Sequence, residues 1–271
     1  MSVPLKSGTN AMNDATSEMG SREDIAGVPL DPVEIREAVR RIDAWVKAGA
    51  RPAAYVVQAN AWTTVRACED KDYFDCLASA NLCVADGMPL VWLLRRKGRH
   101  LQERVYGPDL MLILCERAAK EKWRCFLYGG KPGVPETLRD TLVSRYPELN
   151  VAGTYSPPFQ ALTAEEDAEV CAMVNAAKPD ILWVGLGSPK QDLWMHEHRD
   201  RLNVSVMHGV GAAFDFLSGR VRQAPRWMMN AGLEWLFRLI MEPRRLWKRY
   251  TISNLKFLYY IVTREIFKTR S

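Results

Sequence analysis

The chain has 271 residues, 48% of them hydrophobic and 25% charged, the balance of a globular protein with a full core; fibres, repeat arrays and wholly disordered chains are excluded. The net charge of +5 is uneven: from Arg238 onward nine Lys/Arg face two acids, a net +7 that leaves −2 for the remainder. Anionic partners therefore meet the C-terminal tail first.

In chain order, residues 1–24 are polar, rich in small residues and without an apolar h-region. They read as a disordered tail and not as a signal peptide. Short β-rich runs then alternate with helical patterns. The runs are AYVVQ (54–58), LCVAD (82–86), RCFLYG (124–129), NVAGTY (150–155), DILWVG (180–185) and VSVMHG (204–209). Helical periodicity fills the gaps, as in 109–123 and 165–177. Strands alternating with helices predict a Rossmann-like α/β domain over residues 25–224, built on a mostly parallel sheet. Several strands end in Gly or Asp, where such a sheet puts its ligand sites.

Beyond Pro225 the alternation stops, and residues 225–271 read as two or three helices with no further strand. Pro243 starts a new one. Trp235, Trp247, Tyr250, Tyr259 and Tyr260 interleave with basic residues. The pattern suits a helix lying on an anionic membrane surface, or equally a helix pair packed on the core with a solvated basic face. No apolar run approaches the ~20 residues that span a bilayer.

The six cysteines (Cys68, Cys76, Cys83, Cys115, Cys125 and Cys171) include no C-x-x-C pair and read as reduced core thiols. His196 and His198 stand two apart, so on a helix they face different ways, unlike a zinc pair spaced by four. No metal site and no cofactor are expected.

Four motifs have the chemistry of a site. In ADGMPLVW (85–92), Asp86 ends a strand and precedes a tight turn into a helix. It reads as a general base at the ligand edge of the sheet, or as that helix's N-cap. In YGGKPG (128–133), Gly129 and Gly130 let backbone N–H groups approach a phosphate, or simply make a turn; the motif is neither a P-loop nor G-x-G-x-x-G. In VGLGSPKQDLW (184–194), Gly187 leaves a strand and Gln191 sits in a first helical turn, a nucleotide cradle or a cap. In HGVGAAFDFLSG (208–219), Asp215 is a second candidate carboxylate, ranked below Asp86 because Phe214 and Phe216 flank it.

Taken together, VVQAN, ADGMPLVW, RVYGPDL, FLYGGKPG, KPDILWVGLGSPKQDLW, GVGAAFDFLSG and APRWMMNAGLEWLFRLIMEPRRLWKRY, in that order, resemble the WecG/TagA/CpsF family, glycosyltransferase family 26. The resemblance runs from about Gly27 to about Phe257. It implies an inverting transferase that takes a UDP-sugar donor and a polyprenyl-diphosphate-linked sugar acceptor in exopolysaccharide or cell-surface polymer synthesis. The family's proposed base carries to Asp86, its strand asparagine to Asn60, and the arginine before its G-x-D-L motif to Arg104. Its G-[A/S]-P-[K/R]-Q glutamine carries to Gln191, and its C-terminal basic residues, proposed to meet the diphosphate, to Arg238, Arg245 and Lys248. Gln58, Gly129, Gly130 and Gly187 join the expected substrate-binding set. The chain reads Gln58-Ala59-Asn60 where the family often has Thr-Pro-Asn, which leaves the donor open between glucose and N-acetylmannosamine. The implied location is cytoplasmic, peripheral on the inner face of the cell membrane, and a homo-oligomer is allowed. The competing classes are a Rossmann-type oxidoreductase, which lacks its G-x-G-x-x-G fingerprint, and a nucleic-acid-binding protein. The latter would use the basic tail, but the rest of the chain carries −2 rather than a positive charge.

Overall fold

The computed structural model of the chain describes residues 21–266. The side chains of Arg245, Arg249 and Ile266 lie outside the described residues, as do residues 1–20, most of the expected N-terminal tail.

Six strands make one parallel sheet: β3 (Ala54–Ala59), β4 (Leu82–Ala85), β5 (Arg124–Gly129), β6 (Asn150–Tyr155), β7 (Ile181–Gly185) and β8 (Val206–Gly209). Each coincides with one of the β-rich runs of the sequence. Their order is β4-β3-β8-β7-β5-β6, and the pairings are parallel throughout. Central strands are mostly apolar and buried along their length, because helices cover both faces; Gln58 of β3 and His208 of β8 are the polar exceptions. Alternation within each strand divides the core in two. Tyr55, Val57, Phe126, Tyr128, Leu182, Val184 and Met207 face one side. Ala54, Val56, Cys125, Leu127, Ile181, Trp183 and Val206 face the other, the period-2 pattern of a pleated strand.

The second side is covered by α1 (Ile35–Ala48), α5 (Gly107–Glu121), α6 (Val134–Arg145) and α9 (Ala213–Leu217). In α1, Ala38, Ile42 and Val46 recur every four residues and form its buried face. The first side is covered by α3 (Lys71–Ala78), α4 (Met88–Arg96), α7 (Ala164–Ala177) and α8 (Lys190–His198). The helix α2 (Ala61–Glu69) follows β3 directly.

A short antiparallel hairpin, β1 (Glu23–Ile25) and β2 (Val28–Leu30), precedes α1. Nothing in the residue pattern marked it, and the boundary drawn at residue 24 falls inside β1. Its turn puts Ala26 at φ 56° and Gly27 at φ 95°, a conformation that strains a residue carrying a Cβ. The far end of the chain braces that turn. The Ala26 N–H donates to Glu265 Oε1 at 2.6 Å, and Arg264 donates to the Ala26 carbonyl at 3.0 Å.

The C-terminal segment is α10 (Arg226–Asn230), α11 (Glu234–Met241), α12 (Pro243–Ile261) and a π-turn (Val262–Ile266). It is helical as expected, and Pro243 opens α12. Leu246, Ser253 and Ile261 of α12 are buried, while Lys256 pairs with Glu69 of α2 at 2.6 Å and Glu265 with Lys97 at 2.8 Å. The appendage is thus packed along the body of the protein.

Candidate active site

At the C-terminal edge of the sheet the chain leaves β3, β4, β7 and β8 in loops that converge on Asp86. Two cavities meet there. One, of about 340 Å³, is walled by Gln58 of β3, the β7–α8 turn (Gly185 to Ser188, with Gln191), the β8–α9 loop (Val210 to Ala213) and Asp215. The other, of about 250 Å³, is walled by the first turns of α2 and α4 and, across from them, by Trp235, Tyr250, Asn254 and Phe257 of the appendage. Asn60, Asp86, Glu234 and Arg238 line both. A crevice outside the carboxyl ends of parallel strands is where an open α/β sheet binds its ligand.

Asp86 is no helix cap. Gly87 caps α4, without a side-chain hydrogen bond. The Asp86 backbone N–H donates to the Ala59 carbonyl at 2.8 Å, fixing the residue beside the end of β3. Its Oδ1 accepts from the Gly107 N–H at 3.3 Å. Burial pushes its carboxyl up from the ordinary 3.8 to about 6; Arg104 opposes that rise and Glu234 adds to it. A carboxylate with affinity for a proton near neutrality is suited to general-base work.

Arg104 lies on the loop leading into α5. Its Nη1 donates to the Asp86 carbonyl at 3.0 Å and its Nη2 to Glu234 Oε2 at 2.6 Å, and its guanidinium lies 4.1 Å from the Tyr106 ring centroid. Burial works against the Arg104 charge, but Asp86 and Glu234 outweigh it and push its pKa above the ordinary value. Arg104 is therefore paired with neighbours within the protein while also lining the smaller cavity.

The other expected residues divide. Asn60 lines both cavities, yet its Oδ1 caps α2, accepting from Trp62 and Thr63 N–H at 3.0 and 3.2 Å. Gln58 is buried, 3.2 Å from His208 Nε2 through its Nε2. It packs so closely on Gly107 that a Cβ there would fall 2.2 Å from its Oε1. Gln191 is buried, and its Oε1 accepts from both Gly187 and Gly211 N–H at 3.0 Å. It ties two loops of the larger cavity together, so the expected direct contact with a base or sugar edge is not the use made of its oxygen. Gly187 lines that cavity at φ 77°. Arg238 lines both cavities, with Nε buried and without a hydrogen-bond partner and the guanidinium 5.5 Å from the Phe216 ring centroid.

Three expectations are corrected or fall outside. Gly129 and Gly130 line neither cavity: a Cβ on Gly129 would sit 2.6 Å from the Gly185 backbone, and one on Gly130 would sit 3.0 Å from Val134. Close approach of β5 to β7 and α6 accounts for those glycines. Lys248 is exposed, beside Trp247, and lines neither cavity. Arg245 lies outside the described side chains.

Sequence reading missed Glu234 and Tyr106. Glu234 opens α11 and accepts from Arg104 and, at 3.4 Å, from the Tyr106 hydroxyl. Its only local mark is an acid in a first helical turn, the commonest place for one. Reading also missed Asp192, wholly buried and held by the Tyr73 hydroxyl at 2.7 Å; burial pushes its carboxyl up to about 6. Among the described residues, Asp167, Cys171 and His198 bring potential metal-ligand atoms together. They line neither cavity, and Arg201 already neutralises Asp167 at 2.6 Å.

A doubly covered parallel sheet with a carboxylate of raised proton affinity at its ligand edge and an arginine beside it makes a crevice equipped for base-assisted chemistry. The comparison with known sequences agrees. Residues 23–271 match the family described as glycosyl transferase, WecG/TagA/CpsF, and the chain belongs to that family of glycosyltransferases. It is 37% identical over 196 residues to the N-acetylglucosaminyldiphosphoundecaprenol N-acetyl-beta-D-mannosaminyltransferase of Bacillus subtilis, covering 70% of this chain and 74% of that protein. To the protein of the same description in Bacillus spizizenii it is 32% identical, covering 72% and 74%.

Proposed function

We propose that this chain transfers a hexose from a UDP-sugar to a polyprenyl-diphosphate-linked sugar during synthesis of a cell-surface polymer, and that it does so on the inner face of the membrane. The observation that supports this best is the pair of cavities meeting at Asp86. A transferase needs two substrates whose reacting atoms come together at one base. The larger cavity, floored by strand ends and glycine turns at the N-terminus of α8, suits the nucleotide diphosphate. The smaller one opens between α2, α4 and the aromatic residues of the appendage, and suits the acceptor sugar with its lipid diphosphate.

In this reading Asp86 takes the proton of the acceptor hydroxyl as that oxygen attacks the anomeric carbon, inverting it. The bond to the nucleotide diphosphate breaks, and the leaving group gains negative charge. Arg238, which lines both cavities and has a nitrogen still free of partners, is placed to neutralise it. The names of the two Bacillus relatives favour N-acetylmannosamine as the sugar and a diphosphoundecaprenol-linked N-acetylglucosamine as the acceptor. Gln58, standing where the family often has threonine, is the one feature that favours another hexose such as glucose.

The membrane half of the reading rests on the appendage. Trp247, Ile252, Leu255, Leu258 and Tyr259 of α12 are exposed among Lys248, Lys256 and Arg264, an apolar and basic mixture suited to an anionic interface. No described helix is long and apolar enough to cross a membrane, so attachment would be to the surface.

The test is direct. The purified protein is incubated with UDP-N-acetylmannosamine, UDP-glucose and other UDP-sugars, each with a short-chain lipid diphosphate N-acetylglucosamine, and the products are read by mass spectrometry. One donor should give a hexose-extended lipid; no product from any donor would sink the proposal.

A further inference from the structure

Resting on the reading of Asp86 as the base, we propose that Glu234 is a positioning residue of the transfer, the group by which the appendage orients the base and keeps it basic through Arg104.

The geometry is a chain of contacts running from the appendage to the reacting edge of the sheet. Gln223 donates to the Tyr106 hydroxyl at 3.2 Å, Tyr106 donates to Glu234, Glu234 accepts from Arg104, and Arg104 donates to the Asp86 carbonyl. Glu234 begins α11, so that helix's N-terminal dipole favours its charge. The ion pair with Arg104 is nearly enclosed, 12% and 16% of the two side chains being exposed. An enclosed pair is costly to break on one side, because the survivor is left charged and unpaired. Here that survivor would be a guanidinium hydrogen-bonded to the residue that takes the proton.

The charge balance gives Glu234 its second effect. The groups facing Asp86 are Arg104 and Tyr106 from the loop before α5, the Gly107 N–H, and Glu234 and Arg238 from α11. Two cations alone would hold the Asp86 carboxylate in its ionised form too well and make it a weak base. Glu234 offsets them. It lines both cavities, so it can do this without blocking either substrate. Glu234 itself is not required to exchange a proton with substrate.

The experiment compares Glu234→Gln and Glu234→Asp with the parent and with Asp86→Asn, using UDP-N-acetylmannosamine, UDP-glucose and a short-chain lipid diphosphate N-acetylglucosamine. Glu234→Gln should lower kcat by about 10–100-fold, the scale of a misplaced reacting group, with a smaller change in donor KM. The acidic limb of its kcat/KM profile should move to lower pH. Glu234→Asp should recover part of the rate. The double variant Arg104→Gln/Glu234→Gln should be no slower than the slower single variant, because the two residues act as one unit. A readout independent of substrate follows the Asp86 carboxyl by carbon NMR in aspartate-labelled protein, its signal assigned by its loss in Asp86→Asn; its midpoint should fall in Glu234→Gln. A Glu234→Gln protein that is folded at the assay temperature, with an unmoved midpoint and the parent's kcat, overturns the proposal. So does one that is merely less stable. If instead Asp86→Asn keeps full turnover, the base reading fails, and this inference falls with it for that separate reason.

Discussion

Replacing Asp86 by asparagine separates what the carboxylate does for catalysis from what it costs the fold. The folded protein raises the Asp86 carboxyl from 3.8 to about 6. At about 1.36 kcal/mol per unit, the ionised group opposes folding by at most about 3 kcal/mol. The side chain looks into two open cavities, so solvent screening reduces that to about 1–2 kcal/mol. The sign follows from proton counts. Between pH 3.8 and about 6 the folded state holds more protons at this site than the unfolded state, so stability falls as pH rises through that window and the full penalty applies above it. Asparagine has no charge to desolvate. Asp86→Asn should therefore melt about 3–6 °C higher than the parent at pH 7.5, for a protein of this size, and no higher at pH 4. Its turnover should drop by about 10²–10⁴-fold, while UDP still binds. Differential scanning fluorimetry at the two pH values, turnover by mass spectrometry and calorimetric titration with UDP make the measurement. Equal melting gains at both pH values would refute the desolvation argument, and near-parental turnover would refute the base.

Gly107→Ala places a methyl group 2.2 Å from Gln58 Oε1; urea unfolding should show a loss of about 1–3 kcal/mol from overpacking, with kcat reduced as the Gly107 support of Asp86 shifts. Gln191→Ala removes the acceptor shared by the Gly187 and Gly211 N–H groups. At about 1 kcal/mol for each hydrogen bond, it should weaken UDP binding by up to about 30-fold, seen by calorimetry, with acceptor KM little changed; an effect on the acceptor alone would contradict the assignment of the larger cavity. Ile252→Asp/Leu255→Asp on the exposed face of α12 should abolish co-sedimentation with anionic vesicles, since each buried aliphatic side chain is worth about 1.5–3 kcal/mol. The same variant should keep the parental rate on a water-soluble acceptor, and retained vesicle binding would leave α12 as a packed helix with a solvated face.

The sequence by itself determined the six sheet strands and the change to helix after Pro225. It also marked Asp86 as a candidate base; the family resemblance added Asn60, Arg104 and Arg238, and the structure brings these four together. The strands, the helix start and Asp86 are local or periodic features. A strand buried on both faces must be apolar along its length, a helix start at Pro243 is written in one residue, and a carboxylate at a strand end needs only that strand to be placed. The motif reading set Gly129 and Gly130 at a phosphate or a plain turn, and the structure packs both closely on their neighbours; a backbone that must approach a phosphate and one that must approach another strand require the same residue. The hairpin at Glu23–Leu30 was illegible because three-residue strands carry too little alternation. Its strained Ala26 turn is braced by Arg264 and Glu265, some 240 positions later.

Only the tertiary structure decided the strand order and which elements face one another across the crevice. Periodicity says which face of an element is buried and nothing about what lies opposite. Glu234 is the clearest case. It meets Arg104 across 130 residues of chain, and in sequence it is one more acid in a first helical turn. The contact exists because α11 folds back over the end of the sheet and α12 packs along α2, bringing an acid from the basic appendage to the arginine that holds the Asp86 carbonyl.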